Sequence, residues 1–453
     1  MWRNPYVLIV SLSGTMTALL APSLWTAHIL FLLPFFALGS LYGAFNLVIF
    51  LYSHFFDRLD PPTRRVEGCP CVAVLYLTRD DFDERAFETV VELDYPGRET
   101  FVLDDSTDPS MRHTIDRLAG KHGIRVLRRP DRKGFKAGAI NRALEVIDAE
   151  FVAVFDADER VPPDFLERAL EYFTDERIAF VQASHYAYNT DRRWTRAMGH
   201  GVDLHWKVFQ NYRNRHGVVN FLGHGAVLRT SALREVGGIP EVVSEDIALT
   251  VEFVLRGYHG VFARGIVCGE AFPETYAAFR RRHKKWAMGT ADFLRRYARR
   301  ITTAPLRWHE RLDLFLPVLS LPMTLLLFAF ALATSFVDIP INAPLVSVTA
   351  LAVLAPMLPF LGLPKRQRLG PLAINTVAFM SLFSLSVVYT LRGALGGASF
   401  PVTGEQGAGK RTFDYLGDLV VGSILVILNP FNALGLISLA SPALKGLFDR
   451  DSV

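Results

Sequence analysis

The chain has 453 residues, of which 50% are hydrophobic and 21% are charged, and its 49 Lys+Arg nearly balance its 45 Asp+Glu. A formal net charge of +4 does not indicate a protein that wraps nucleic acid, and the hydrophobic fraction excludes a disordered chain. The 3 cysteines are too few for a disulfide framework or a structural zinc site. Because the apolar residues form blocks towards the two ends, the composition predicts a membrane protein with a large polar middle.

Two apolar blocks near the N-terminus predict membrane helices. Tyr6–Ala21 and Ala27–Tyr52 are joined by an uncharged connector, while Arg3 and Arg58 stand outside the pair. About 20 apolar residues cross a bilayer as a helix. Because positive residues favour the cytoplasmic side, residues 1–57 are predicted to form a transmembrane hairpin with both outer ends in the cytoplasm.

Further apolar blocks follow residue 300. Leu314–Val337 and Leu345–Leu363 predict a second hairpin, preceded by an interfacial helix within residues 301–371. Leu372–Leu391 has basic residues at both flanks, which favours a helix along the inner leaflet over a crossing. Residues 372–412 are therefore predicted to contain this interfacial helix and the loop that follows it.

The last apolar stretch is interrupted by a proline. Leu416–Leu447 contains Asn429-Pro430, so residues 413–453 predict either one kinked span or two short ones. The sequence leaves both open.

Residues 66–300 carry most of the charge and alternate short branched-rich runs with helical patterns. The predicted strands are Val72–Leu77, Glu99–Leu103, Arg125–Leu127, Phe151–Phe155 and Ala179–Gln182. The predicted helices are Arg85–Leu93, Ser110–His122, Gly138–Ala149 and Asp164–Thr174. This alternation predicts an open α/β sheet, in which ligands bind outside the carboxyl ends of the strands.

Acidic residues follow two of the predicted strands. Asp104-Asp105 comes after the second strand and Asp156-Ala157-Asp158 after the fourth. Two carboxylates one residue apart can share a hard divalent cation, and Mg²⁺ usually completes its shell with water and substrate phosphates. A solvated turn is the alternative for a lone Asp-x-Asp, and the position at the strand ends favours a cation with a nucleoside diphosphate.

Two other segments carry polar groups that suit the same chemistry. In Lys133–Gly138 the small residues allow close backbone approach and the lysines suit phosphates, although the order is not that of a P-loop and a plain loop is the equal alternative. Ser244-Glu245-Asp246 is either a helix N-cap or the site of a general base that acts on a sugar hydroxyl.

A basic run lies next to the apolar blocks. Residues 280–300 contain nine Lys/Arg and one acid, Asp292, and their position beside the apolar blocks does not favour a nucleic-acid site. Anionic lipid or a departing pyrophosphate are better partners for this charge. Within the run, Trp286 either stacks on a sugar ring or anchors the chain at the membrane interface.

Together these residues resemble glycosyltransferase family 2, in particular its membrane-integrated cellulose-synthase-like and hyaluronan-synthase-like members. Members of that family have three spaced aspartate motifs and a Gln-x-x-Arg-Trp segment. The resemblance covers roughly residues 66–300 and extends to the region near 400. It implies a GT-A type (Rossmann-like) α/β domain in the cytoplasm, inserted between transmembrane helices.

The resemblance also implies roles for individual residues. Asp246 would be the catalytic base, and Asp156 and Asp158 would hold Mg²⁺ or Mn²⁺. Trp286 and His224 would bind the acceptor. Residues that would bind the nucleotide sugar are Asp104, Asp105, Lys133, Lys136, Gly138, Glu245, Lys285, Phe400, Val402 and Thr403. The last three lie in a Phe-x-Val-Thr segment that resembles the gating loop of cellulose synthases.

The chain departs from the family pattern at several positions, and its first strand ends in Thr78-Arg79-Asp80-Asp81 rather than the usual Asn-Glu. Lys285 stands where the family has Arg, Glu405 where a lysine usually follows the gating segment, and Ser244 where the family has Thr. Lysine keeps the charge but loses the planar fork of arginine, so we expect its diphosphate contact to differ.

The implied function is the inverting, metal-dependent transfer of a hexose, by default glucose, from a UDP-sugar to a growing polysaccharide. The β-glucan-like product would leave through the protein's own channel. The alternatives are transfer of a single sugar to a lipid, such as a polyprenyl phosphate or a ceramide-like lipid, and a non-catalytic scaffold. The expected partners are the UDP-sugar, the acceptor and membrane lipid, without nucleic acid. The expected location is the bacterial inner membrane.

Overall fold

The computed structural model describes residues 4–56, 61–397 and 415–449, without the side chains at 205, 206 and 367. The predicted gating-like residues Phe400, Val402 and Thr403 therefore lie outside the described residues.

Both predicted N-terminal helices are present; the first is longer than predicted, and the second begins and ends later than predicted. Helix α1 spans Pro5–Thr26, a short 3₁₀ helix spans Leu30–Leu32, and α2 spans Leu33–Phe55. Asn4 caps α1 by accepting a hydrogen bond from Tyr6 N at 3.0 Å. Both helices are long and apolar enough to cross a membrane.

A mixed α/β unit follows the hairpin. Its elements, in chain order, are β1 (Val72–Thr78), α3 (Glu84–Val91), β2 (Arg98–Asp104), α4 (Pro109–Lys121), β3 (Arg125–Leu127), α5 (Phe135–Leu144), β4 (Phe151–Asp156), α6 (Phe165–Leu170), β5 (Ile178–Ala187), α7 (Arg193–His216), β6 (Ala226–Arg229), α8 (Thr230–Glu235), α9 (Glu245–Leu255) and β7 (His259–Glu270). The five predicted strands and four predicted helices are confirmed, with shifted ends. The sequence did not predict β6, β7 or the long helix α7.

The strands form one seven-stranded sheet in the order β3-β2-β1-β4-β6-β5-β7. Strand β6 runs antiparallel to both β4 and β5, whereas the other pairs are parallel. The sheet is therefore a mixed α/β sheet, with β6 as its antiparallel strand. It has apolar layers on both faces, because alternate residues of β1 such as Tyr76 and Leu75 belong to two different core clusters.

Helix α7 connects the sheet to the membrane helices. Its Phe209 and Tyr212 pack in one buried cluster with Tyr6 of α1 and Phe45 of α2. Near the middle of α7, Asp203 accepts a hydrogen bond from the backbone N of Ala187 in β5 at 3.0 Å. The α/β unit is therefore held against the apolar helices through buried contacts.

The basic helix α10 (Tyr276–Thr303) is followed by apolar helices in the C-terminal part of the chain. They are α11 (Trp308–Leu319), α12 (Met323–Ala333), α13 (Ala343–Leu354), α14 (Leu369–Ser381), α15 (Phe383–Ala394), α16 (Leu416–Leu428) and α17 (Ala433–Phe448), with 3₁₀ turns at Ala355–Gly362 and Lys365–Gln367. Together with the following 3₁₀ turn, α13 is long and apolar enough to span a membrane.

Several predicted spans are bent or divided. The span predicted over Leu314–Val337 corresponds to α11 and α12, which meet at 66°, and Pro322 at the break has no N–H to continue the helix. The helix predicted over Leu372–Leu391 corresponds to α14 and α15, which meet at 48°. At the C-terminus, α16 and α17 correspond to the two short helices that the sequence had left open.

Two buried ion pairs hold these helices in place, one to α7 of the α/β unit and one between α10 and α16. The guanidinium of Arg213 lies 3.1 Å from Oδ2 of Asp313, which also accepts a hydrogen bond from Val218 N at 2.8 Å. Arg280 of α10 pairs with Asp418 of α16. Removing one member of a buried ion pair lowers the free energy of unfolding by several kcal/mol, because the other charge is left buried and unpaired. Both pairs therefore fix the relative position of the parts that they join.

Candidate active site

The sheet register brings the two acidic segments to one edge. Thr78 at the end of β1 pairs with Asp104 on one side, and Leu77 pairs with Asp156 on the other. The carboxyl ends of β2, β1 and β4 therefore lie side by side, as predicted for a ligand site in a sheet of this type.

The acidic pair after β2 is engaged by arginines. The buried Asp104 accepts hydrogen bonds from Arg128 Nε at 2.6 Å and from Ser106 N at 2.8 Å. Asp105 is held bidentately by Arg129, at 2.9 Å from Nε and 2.5 Å from Nη2. Charge-assisted forks of this kind fix geometry as well as charge, so these aspartates face arginines.

The glycine-containing segment is shaped by the same arginine. Arg129 donates to the backbone oxygens of Lys133 at 2.6 Å and Phe135 at 2.5 Å. Gly134 has φ +70°, and a Cβ at Gly138 would lie 2.0 Å from the Lys133 oxygen. The glycines are thus required by backbone approach, while the Lys133 side chain is exposed.

Lys136 makes its contact with the next acidic segment. Its amine forms a salt bridge with Asp156, the first acid after β4. Burial raises the pKa of Asp156, but the positive charges of Lys136 and His224 outweigh this effect and lower it. In the structure, the predicted phosphate-binding Lys136 therefore neutralises a predicted metal ligand.

The negative charge of Asp158 is less fully compensated by neighbouring positive charges than that of Asp156. Its Oδ2 accepts a hydrogen bond from Ala271 N at 3.2 Å. Burial, with the neighbouring negative charge of Asp156, raises the pKa of Asp158 to about 6. Two carboxylates at one strand end, one of them poorly compensated, are a donor set that fits a hard divalent cation.

The acidic group extends further than the sequence indicated. Glu159 is fully buried, and its two oxygens lie 3.3 Å from His185 Nε2 and 3.3 Å from His224 Nδ1. The other ring nitrogen of His224 lies 3.6 Å from Glu270. His224, predicted to bind the acceptor, thus lies between two glutamates. Glu159 directly follows Asp156-Ala157-Asp158 in the sequence, but that pattern alone did not predict that it belongs to the site.

The charges around His224 favour its protonated form. Burial lowers the pKa of His224, but the carboxylates of Glu159, Asp156 and Glu270 outweigh burial and raise it to about 10. The same contacts lower the pKa of Glu159 although burial opposes them.

The predicted base lies across a glycine from Lys136. Asp246 is in the first turn of α9, where its Oδ1 accepts a hydrogen bond from Ile247 N at 2.8 Å. Gly223 has φ +93°, and a Cβ there would lie 3.8 Å from both Asp246 Cβ and Lys136 Nζ. The predicted base and the Lys136–Asp156 pair therefore border one small space.

Charge and burial poise Asp246 for proton transfer. Burial and then the adjacent Glu245 raise the pKa of Asp246 to about 6, while the Ile247 N–H, Lys285 and Lys136 act in the opposite direction. A carboxylate with such a pKa is ionised at neutral pH and remains basic enough to accept a proton. Ser244, the alternative N-cap, makes no side-chain capping hydrogen bond.

Helix α10 approaches the start of α9 closely. A Cβ at Gly289 would lie 2.7 Å from Ser244 Oγ, so this glycine allows the contact. Trp286, one turn earlier, is partly buried, with the Arg282 guanidinium 4.8 Å from its ring centroid and Phe279 edge-on at 6.3 Å. The structure thus brings Lys285 within electrostatic reach of Asp246, while the ring contacts described for Trp286 are with its own helix.

The mixed sheet with acidic turns at its carboxyl edge is the α/β architecture expected of a GT-A type domain. Residues 151–363 match the family profile described as "Glycosyl transferase family group 2". Over this stretch, which is somewhat less than half of the chain, the sequence is similar to family 2 glycosyltransferases, and the apolar helices fit integration into a membrane.

Two plant proteins illustrate the likeness. A probable glucomannan 4-beta-mannosyltransferase 9 of Oryza sativa subsp. japonica is 34% identical over 215 residues, which are 45% of this chain and 41% of that protein. Glucomannan 4-beta-mannosyltransferase 2 of Arabidopsis thaliana is 34% identical over 207 residues, 43% of this chain and 39% of that protein. The matches span less than half of these relatives.

Solved structures show distant likeness. The mannosyltransferase PcManGT from Pyrobaculum calidifontis, in complex with GDP-Man and Mn²⁺, is 18% identical with a TM-score of 0.45, over 91% of this chain and 98% of that chain. S. aureus TarS 1-349 in complex with UDP is 15% identical with a TM-score of 0.41, over 72% and 88%.

Proposed function

We propose that this protein is an inverting hexosyltransferase that moves a sugar from a nucleoside diphosphate to a hydroxyl of a growing β-linked polysaccharide. The supporting observation is the common border of Asp246 and the Lys136–Asp156 pair at Gly223. A base and a cationic group separated by one small space suit an acceptor hydroxyl on one side and a leaving diphosphate on the other.

In this mechanism Asp246 accepts the proton of the acceptor hydroxyl as that oxygen attacks the anomeric carbon. Its burial keeps the carboxylate basic, and Lys285 and Lys136 keep it ionised. A single base suffices because inversion needs no covalent intermediate with a second carboxylate.

The leaving diphosphate develops negative charge as the anomeric bond breaks. Lys136 is placed to counter that charge when it exchanges its contact with Asp156 for the phosphate oxygens. A divalent cation, Mg²⁺ or Mn²⁺, held by Asp156 and Asp158 would supply Lewis-acid stabilisation of the same oxygens.

The transferred hexose is the finer part of the proposal. The family resemblance sets UDP-glucose as the default donor, whereas the plant relatives are named for mannosyl transfer to glucomannan. We favour mannose, because these relatives are 34% identical to this chain over more than 200 residues.

The location is proposed from the same relationship. The catalytic unit would face the cytoplasm, and α1, α2 and the C-terminal helices would lie in a bacterial inner membrane. A buried attachment of α7 to α1 and α2 supports a catalytic unit that feeds its product directly into the membrane part. The product would then leave through a channel formed by these helices.

A donor screen on the detergent-purified protein tests the proposal. Labelled GDP-mannose and UDP-glucose would each be supplied with Mg²⁺ or Mn²⁺, and the product would be sized and its linkage determined. We expect a long β-linked polymer from one donor, with GDP-mannose the better. A single glycolipid would support transfer to a lipid instead, and absence of nucleotide binding would support a scaffold.

A further inference from the structure

A compact group of two histidines and a glutamate lies behind the candidate metal ligands. Glu159 leaves the turn after β4, His185 lies in β5, and His224 precedes β6. One ligand atom from each of the three side chains lies within 4.8 Å of the other two. Because the three come from separate segments, their convergence is a property of the fold.

The spacing is longer than direct hydrogen bonds between charged groups. Glu159 Oε1 forms a long hydrogen bond with His185 Nε2 at 3.3 Å, and Glu159 Oε2 lies 3.3 Å from His224 Nδ1, whereas charge-assisted N–H···O bonds measure about 2.7–2.9 Å. Ligand atoms that surround a tetrahedral cation with bonds of about 2.0–2.1 Å are roughly 3.3 Å apart. The two separations therefore match the spacing of atoms around a shared ion.

A ring nitrogen supports this geometry independently. His224 Nδ1 is buried and has no aligned hydrogen-bond partner in the part of the chain that the structure describes. A buried polar atom without a partner is costly, and a bound ion would satisfy it. Gly225 lies directly over the group, since a Cβ there would be 2.3 Å from His185 Nε2.

The local charge also calls for a cation. Asp156, Asp158 and Glu270 surround His224 together with Glu159, and the salt bridge from Lys136 compensates only Asp156. In the metal-free protein the proton on His224 supplies the remaining positive charge, and a metal ion bound to the ring nitrogen would take the place of that proton. Clustered buried carboxylates persist when counter-charges or metals compensate them.

We propose that Glu159, His185 and His224 bind a transition-metal ion of the zinc class, in a site distinct from the oxygen ligands Asp156 and Asp158. The donor types separate the two sites, because imidazole suits Zn²⁺ whereas carboxylates and phosphates suit Mg²⁺ or Mn²⁺. The ion ties the turn that carries Asp158 to β5 and to the loop before β6. This inference does not depend on the proposed function, because binding is measured without donor or acceptor.

Metal analysis of the purified protein tests the site. The full chain would be purified without chelators, dialysed against excess Mg²⁺ and analysed by mass spectrometry for transition metals. We expect about one zinc-class ion per chain, and a visible d–d absorption band when Co²⁺ replaces it. His185→Gln and His224→Gln should each lower the affinity by at least about tenfold.

Two variants separate this site from its neighbours. Asp156→Asn should retain the ion, because Asp156 belongs to the oxygen-ligand site, and His122→Gln, at an exposed histidine, should also retain it. Wild-type protein that carries no transition metal and gives no Co²⁺ band would overturn the proposal. Loss of the ion in Asp156→Asn with retention in His185→Gln would overturn it as well. The wild-type measurement decides even if a histidine variant fails to fold.

Discussion

The acidic turn after β2 and the acidic turn after β4 lie on either side of β1 but are compensated differently. Asp104 and Asp105 each meet an arginine through short charge-assisted hydrogen bonds. After β4, Lys136 pairs with Asp156, while Asp158 keeps a raised pKa of about 6. Aspartates stand at equivalent strand ends in both turns. The negative charge of the β2 turn is neutralised by arginines, whereas the β4 turn keeps an excess of negative charge.

The difference indicates a division of labour. In the β2 turn, Asp105 orients Arg129 by accepting its hydrogen bonds. Arg129 in turn donates to the backbone oxygens of Lys133 and Phe135. The β4 turn keeps carboxylates for a ligand that brings its own positive charge. We therefore expect substitutions after β2 to act mainly on stability, and those around the β4 turn mainly on turnover.

The largest effect is expected at Asp246, which borders the β4 side through Lys136. Asp246→Asn removes the proposed base, and turnover should fall by about 10²–10⁴-fold with little change in donor KM. In the wild type, turnover should decline as the pH falls through about 6, because the carboxylate must be unprotonated to accept a proton. Steady-state rates from pH 5 to 8 measure both effects.

The control for Asp246 is an exposed aspartate elsewhere. Asp148→Asn changes an exposed side chain after α5 and should leave the rate and its pH profile unaltered. Near-normal turnover of folded Asp246→Asn would remove the assignment of the base.

The next effect separates the two turns directly. Asp158→Asn should lower turnover by about 100-fold or more and raise the cation concentration needed for half-maximal rate, because it removes a proposed ligand. Its thermal stability should be unchanged or higher, since a buried negative charge is lost. Rates against Mn²⁺ concentration, with unfolding curves, test both halves. A destabilised variant with normal cation dependence would contradict the comparison.

The matching substitution after β2 should behave in the opposite way. Asp105→Asn breaks the fork with the buried Arg129, whose side chain is 8% exposed, and should destabilise the protein by about 3–5 kcal/mol. Chemical unfolding in detergent gives this difference. Asp116→Asn, at a side chain 52% exposed that also pairs with an arginine, should cost less than about 1 kcal/mol. Equal losses in the two variants would mean that Asp105 is not structural.

Sequence reasoning located the edge of the sheet but not the charges that meet there. Strands β1, β2 and β4 could be predicted because the residues that point to both faces of the sheet are apolar. The aspartates stand at the ends of β2 and β4, so their edge of the sheet could be predicted as well. Arg128 and Arg129 were invisible as partners of Asp104 and Asp105, because the contact crosses 24 residues of chain.

The missed elements have a similar cause. Strand β6 has only four residues and pairs antiparallel with β4 and β5. The strand–helix–strand alternation that predicts parallel strands therefore gives no signal for it. Helix α7 carries many polar residues, and only its packing on α1 and α2 explains why it is a long helix. His185 and Glu159 acquire meaning when β5 places them together.

The smallest effect is a change in the pH dependence of stability. In divalent-free buffer the folded pKa of Asp158 is about 6, above the roughly 3.9 of an unfolded aspartate. The folded state therefore binds this proton more tightly, so the stability that it contributes is present below about pH 4 and is lost as the pH rises through about 6. Asp246 contributes in the same window, so Asp158→Asn should reduce the slope without abolishing it. Melting temperatures between pH 4 and 7 measure the slope, and Asp116→Asn should keep it. Added Mn²⁺ should raise the wild-type melting temperature most at neutral pH, where Asp158 is ionised, and should have little effect on Asp158→Asn. An unchanged slope in that variant would mean that the charge after β4 is compensated as fully as the charge after β2.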